Sequence, residues 1–144
     1  MSSKSATGPS VRYLLDTNIC ICLIRHHPPE VAARFAQLDY GDVVMSAITL
    51  AELRYGVERQ PDSRVAAERA LDALLADIPV LPFDGDAAVA YGVIRAAVRE
   101  RRRDALDRLI AAHAASLSLT LVTNNEADFR DYPGLIIENW VGQP

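Results

Sequence analysis

Little in this sequence points toward a membrane or a cell surface. No run approaches the roughly 18 apolar residues that a membrane-spanning helix needs. Met1 to Ser10 are small and polar with a single lysine, so they contain no apolar segment of a secretion signal. Cysteine is scarce. Cys20 and Cys22 are the only two, and in an expected helix side chains two apart point in different directions, which argues against a mutual disulfide. Reduced thiols in a cytoplasmic protein fit this pattern. No histidine–cysteine cluster has zinc spacing. Basic charge is in short supply, with 15 Lys and Arg against 19 Asp and Glu and a net charge of −4. That balance runs against general phosphate attraction, so any nucleic-acid contact needs its positive charge concentrated locally. Internal repeats, low-complexity tracts and interdomain linkers are also absent.

What remains is an ordinary globular composition, 50% hydrophobic and 24% charged over 144 residues. That predicts one domain with its own core over residues 11–144, preceded by a disordered leader or expression remnant at 1–10. Short apolar runs alternate with helical patterns. Strands are expected at Arg12 to Leu15, Asp42 to Ser46, Val80 to Phe83, Thr120 to Thr123 and Leu135 to Glu138. Helices are expected at Asn18 to Arg25, Glu30 to Leu38, Ala47 to Arg59, Ser63 to Ala76, Asp84 to about Arg102, and Leu106 to Leu117. Such alternation predicts an α/β fold, a central, mainly parallel sheet of four to five strands between two helical layers.

Four polar positions stand out, each with a plain structural alternative. Asp16 follows the first strand, at the carboxyl edge where open α/β sheets place ligands; it could equally cap the next helix. Glu52, three residues after Thr49, fits a capping box, unless the helix begins at Ser46 and leaves Glu52 a turn inside. Asp107 shares a helical face with Ile110, Ala111 and Ala114, where a carboxylate is costly without a partner; Arg103 or Arg108 could supply an ion pair. Asn125, after strand four, suits a turn capping a short helix. If strands one and four are neighbours where strand order reverses, all four can face one cleft. Gathered carboxylates repel and raise each other's pKa, and a divalent cation removes that penalty. Oxygen-only ligands suit Mg²⁺ or Mn²⁺, which commonly work on phosphodiesters by acidifying water and stabilising phosphate charge.

The same residues resemble the motifs of PIN-domain ribonucleases. Tyr13-Leu14-Leu15-Asp16-Thr17-Asn18 is similar to the first motif and Ser46-Ala47-Ile48-Thr49-Leu50-Ala51-Glu52-Leu53 to the second. Asp107-Arg108-Leu109-Ile110-Ala111-Ala112-His113-Ala114 resembles the third, Leu121-Val122-Thr123-Asn124-Asn125 the fourth, and the stretch from Gly134 to Trp140 the close of the domain. The resemblance runs from about residue 12 to 140 and is nearest to the VapC toxins of type II toxin–antitoxin pairs. It implies a three-layer α/β/α PIN-like domain and Mg²⁺- or Mn²⁺-dependent RNA cleavage, commonly of transfer RNA. It further implies inhibition by a VapB-type antitoxin and a homodimeric toxin. Carried over by motif, Asp16 and Asp107 are metal ligands and Glu52 is an acidic residue of the same metal-binding site. Asn125 falls on a fourth catalytic position where many relatives carry aspartate. Asn18 and Thr123 are expected to orient waters and ligands around the acids. The chain departs from the pattern before Asp107, where Arg99-Glu100-Arg101-Arg102-Arg103-Asp104-Ala105 replaces a Gly/Pro-containing loop.

That arginine run answers the shortage of basic charge. Arg99, Arg101, Arg102 and Arg103, with Arg108, are candidates for RNA backbone contacts, although a charge run is also an ordinary solvated face. Rival classes are an inactive PIN-like module that binds antitoxin or RNA without cutting, and a phosphatase of the haloacid dehalogenase kind. The latter needs a second aspartate two residues after the first, and Asn18 stands there. His113, Tyr132 and Trp140 are expected to pack in the core, and the segment from Leu23 to Phe35 to border the antitoxin groove.

Overall fold

The computed structural model describes residues 11–98 and 105–142. Five strands form one sheet: β1 (Tyr13–Leu15), β2 (Val43–Ser46), β3 (Val80–Leu81), β4 (Thr120–Val122) and β5 (Ile136–Glu138). Their order is β3-β2-β1-β4-β5 and every pairing is parallel. The helices are α1 (Thr17–Arg25), α2 (Pro29–Ala36), α3 (Ala47–Glu58), α4 (Arg64–Asp77), α5 (Gly85–Ala97), α6 (Ala105–Ser116) and the short α7 (Glu126–Phe129).

Side chains alternate across the central strands and divide the core in two. Tyr13, Leu15, Val43 and Met45 pack with α1 to α4 on one face. Leu14, Val44 and Leu121 pack with α5 and α6 on the other. A strand buried on both faces reads as an unbroken apolar run, and β1 is buried at all three positions. The chain winds outward from β1 to β2 and β3, then returns to lay β4 on the opposite side of β1. The order therefore reverses between β1 and β4, which opens a crevice at their carboxyl ends. Asp16 follows β1 directly there, and its backbone N–H donates to the Val122 carbonyl across the gap.

Several boundaries differ from the sequence expectation. β3 stops at Leu81 because Pro82 has no N–H to extend the ladder. α5 stops at Ala97 because Val98 turns extended (φ −113°, ψ 129°) and buries its side chain. The arginine candidates Arg99, Arg101, Arg102 and Arg103 lie outside the described residues, as do residues 1–10. Cys20 and Cys22 are free thiols. Trp140 is buried, its ring edge-on to Tyr13 at 5.4 Å, and Tyr132 packs edge-on to Phe129 at 5.8 Å.

Candidate active site at the carboxyl edge of the sheet

Asp16 leaves β1 in an extended conformation (φ −75°, ψ 172°) and caps α1, its Oδ1 accepting from the Ile19 N–H at 2.9 Å. The capping role is therefore real, yet it leaves the carboxylate at only 5% exposure. Burial pushes its pKa above the ordinary carboxylate range. Hydrogen bonds from the Thr123 hydroxyl and from the Ile19 and Asn18 backbones pull the other way, while the charge of Glu52 pushes further up. Thr123 is wholly buried, and its hydroxyl also accepts from the Asn125 N–H at 3.0 Å. A relay of donors thus runs from the loop after β4 to Asp16.

Glu52 comes from α3. Ser46 is the cap of that helix, its hydroxyl accepting from the Ile48 N–H at 3.0 Å, so Glu52 sits within the helix and is no capping-box partner of Thr49. Its Oε1 accepts instead from the Thr17 hydroxyl at 2.5 Å, and Thr17 also lies 3.4 Å from the Thr49 hydroxyl. Thr17 is a site residue to which the sequence analysis gave no role of its own. Nothing in its immediate neighbours signals the contact, which exists because α1 and α3 pack side by side.

Asp107 opens α6 and is half-buried. Asp16, Asn18, Glu52 and Asp107 all line one cavity of about 840 Å³, together with Thr17. The same cavity extends past Arg25, Tyr55, Gly56 and Arg59. Three of the four predicted positions are therefore brought to one cavity. Asn125 is not among the lining residues, and its side-chain amide donates to Asp128 at 2.5 Å. Among the described residues, no three His, Cys, Asp or Glu side chains are gathered tightly enough to hold an ion jointly.

Arg108 corrects the sequence expectation. It is 4% exposed and hydrogen-bonds Tyr91 of α5, so it belongs to the packing of α5 on α6 and presents no open cationic surface. His113 is buried as expected. Its Nδ1 lies 2.8 Å from the Ser46 hydroxyl, it bonds the Pro82 backbone, and its ring meets Phe83 edge-on at 5.5 Å. The helix carrying Asp107 is thereby tied to the cap of the helix carrying Glu52.

Comparison with known proteins agrees with this architecture. A family model described as PIN domain matches residues 13–135. The chain is 38% identical over 134 residues to the "tRNA(fMet)-specific endonuclease VapC" of Shigella flexneri, covering 90% of this chain and 98% of that one. It is 35% identical over 131 residues to "Ribonuclease VapC2" of Rickettsia felis, covering 89% and 97%. Among solved structures, DNA-bound VapBC from Salmonella typhimurium superposes with a TM-score of 0.80 at 34% identity, covering 90% of this chain and 98% of that one.

Proposed function

This chain belongs to the PIN-domain family, and from that premise we propose that it is a divalent-metal-dependent endoribonuclease, the toxin of a toxin–antitoxin pair. The observation that carries the reading is one cavity lined by Asp16, Glu52 and Asp107 at the sheet's reversal point. The relatives named as transfer-RNA endonucleases support transfer RNA as the substrate class. A cytoplasmic location follows from that substrate.

The residues fit a hard cation. Every candidate ligand is a carboxylate oxygen, the set that suits Mg²⁺ or Mn²⁺. Asp16 is buried with its pKa raised in part by Glu52, which is the condition a bound cation relieves. Asp16 and Asp107 would hold it, with Glu52 reaching it through water, since Mg²⁺ keeps several of its waters. Such an ion, when bound, supplies charge stabilisation at the scissile phosphate and acidifies water. The chain's own groups do the rest. Thr17 fixes one oxygen of Glu52 and leaves the other to accept a proton from an incoming water. Thr123 holds Asp16 in one orientation, and the Asn125 backbone holds Thr123. Asn18, exposed on the cavity wall, can hydrogen-bond the phosphate or its waters.

The neighbouring VapBC complexes support a VapB-type antitoxin as partner. Its seat is proposed along Leu23 to Phe35, where α1, α2 and α4 border a second cavity of about 180 Å³. A homodimer is the expected assembly, and the exposed Val89 and Val93, one turn apart on α5, offer it an apolar stripe.

Incubation of the purified chain with bulk transfer RNA tests the reading. Discrete cleavage products in Mg²⁺ that vanish with chelator are expected. RNA bound and left whole would make this an inactive module, and phosphate release from small esters in its place would make it a phosphatase.

A further inference from the structure

Beyond the acids, the same cavity is lined by apolar side chains such as Ile24, Val57 and Leu71 and by polar ones from α1 and α3. α1 begins at the Asp16 cap and ends at Arg25. On α3, Glu52, Tyr55, Gly56 and Arg59 recur at three- and four-residue spacing, so they follow one helical face. From Glu52 to Arg59 that face travels about 10 Å. All of these residues line the cavity. Tyr55 is 65% exposed, an unusual state for a large ring, and the Arg59 guanidinium sits over it at 5.5 Å from the ring centroid. A side chain added at Gly56 would meet only open space, so the arm is roomy beside the ring.

Arg54 pairs with Glu68 and Asp72, Arg64 with Glu58 and Glu68, and Arg34 with Glu138. Among the described residues, Arg25 and Arg59 make no ion pair with a carboxylate. Two cations and an exposed aromatic ring in the cavity that also holds the acids suit a nucleic-acid strand. Bases stack on aromatic rings whatever their sequence, and backbone phosphates meet the cations.

We propose that this arm, walled by Arg25, Tyr55, Gly56 and Arg59, is a subsite for single-stranded RNA. One base stacks on the Tyr55 ring, and phosphates flanking the scissile one meet Arg25 and Arg59. The proposal rests on the ribonuclease reading above and adds where the strand lies. It predicts that the substrate segment beside the cut is unpaired, because a base within a duplex cannot reach the ring.

Binding of a short fluorescein-labelled single-stranded RNA, followed by anisotropy in the full-length Asp16→Asn background, tests it without turnover. Tyr55→Ala should weaken binding about tenfold, and Tyr55→Phe should stay within about twofold. Arg59→Ala should lower the slope of log affinity against log salt by about 0.7. Gly56→Leu, which fills the arm at a helical position, should weaken binding as Tyr55→Ala does. Unchanged affinity and salt slope in Tyr55→Ala and Arg59→Ala would overturn the proposal. Unchanged RNA affinity with a shift in sedimentation would also overturn it, assigning the face to contacts between copies. The result stands apart from the nuclease reading: a wild-type chain that leaves RNA whole in Mg²⁺ defeats that reading even if Tyr55 binds RNA.

Discussion

Burying a carboxylate is unfavourable unless its charge is answered. Asp16 receives hydrogen bonds from the Asn18 and Ile19 backbones and the Thr123 hydroxyl, yet burial and Glu52 still hold its pKa above the usual range. A carboxylate whose charged form is disfavoured in this way invites a cation. Asp16→Asn preserves an oxygen for the Ile19 N–H, so the fold should persist. Cleavage of transfer RNA should fall by at least about a hundredfold, with an unchanged far-ultraviolet circular dichroism spectrum. Thr17 makes a finer test. A hydrogen bond to a charged group contributes about 1.5–3 kcal/mol, so Thr17→Val should lower kcat tenfold or more with little change in KM. Thr17→Ser, which keeps the hydroxyl, should restore it. Asp16 and Glu52 were legible as single residues. Thr17 was not, because its partner lies 35 positions away and only helix packing joins them.

At the scale of elements, α3 and α6 carry Glu52 and Asp107, and the Ser46–His113 contact joins their scaffolds. His113 is buried among Ser46, the Pro82 carbonyl, the Phe83 ring and Asp84. Desolvation lowers its pKa, opposed by the Asp84 charge and the Pro82 hydrogen bond. Folding therefore favours the neutral ring. That contribution is fully present above the ordinary value near 6.5 and is lost as pH falls through it toward the lower folded value. Thermal melts should show stability declining on acidification from pH 7 to 5, and His113→Gln should flatten the decline. The elements were mostly legible, since each strand is an apolar run bounded by proline, glycine or polar residues. What was not legible was which side of α6 faces inward. The helix is apolar nearly all round, so periodicity did not separate the buried Arg108 from a surface arginine, whereas its contact with Tyr91 of α5 does.

For the whole molecule, function follows from topology. The β3-β2-β1-β4-β5 order sets the ends of β1 and β4 side by side. One crevice then receives Asp16 from the first strand's end, Glu52 from a helix after β2 and Asp107 from the helix before β4. Alternating strands and helices announced the parallel sheet, and the position of Asp16 announced the crevice. The arm beyond it was hidden, because Tyr55 and Arg59 read as ordinary residues of an amphipathic helix until the cavity joined them to the acids. A ligand that binds only the folded chain stabilises it by mass action, about 2.7 kcal/mol at a hundred times its dissociation constant. Mg²⁺ should therefore raise the melting temperature of the wild-type chain and leave Asp16→Asn nearly unmoved.

The most direct measurement is a Mn²⁺ titration by calorimetry on wild type, Asp16→Asn and Asp107→Asn, paired with transfer-RNA cleavage across the same concentrations. The account predicts saturable Mn²⁺ binding by wild type, loss of that binding in both variants, and cleavage that rises along the binding curve. Cleavage at wild-type rate by either variant, or cleavage that persists when chelator has removed all Mn²⁺, would contradict it.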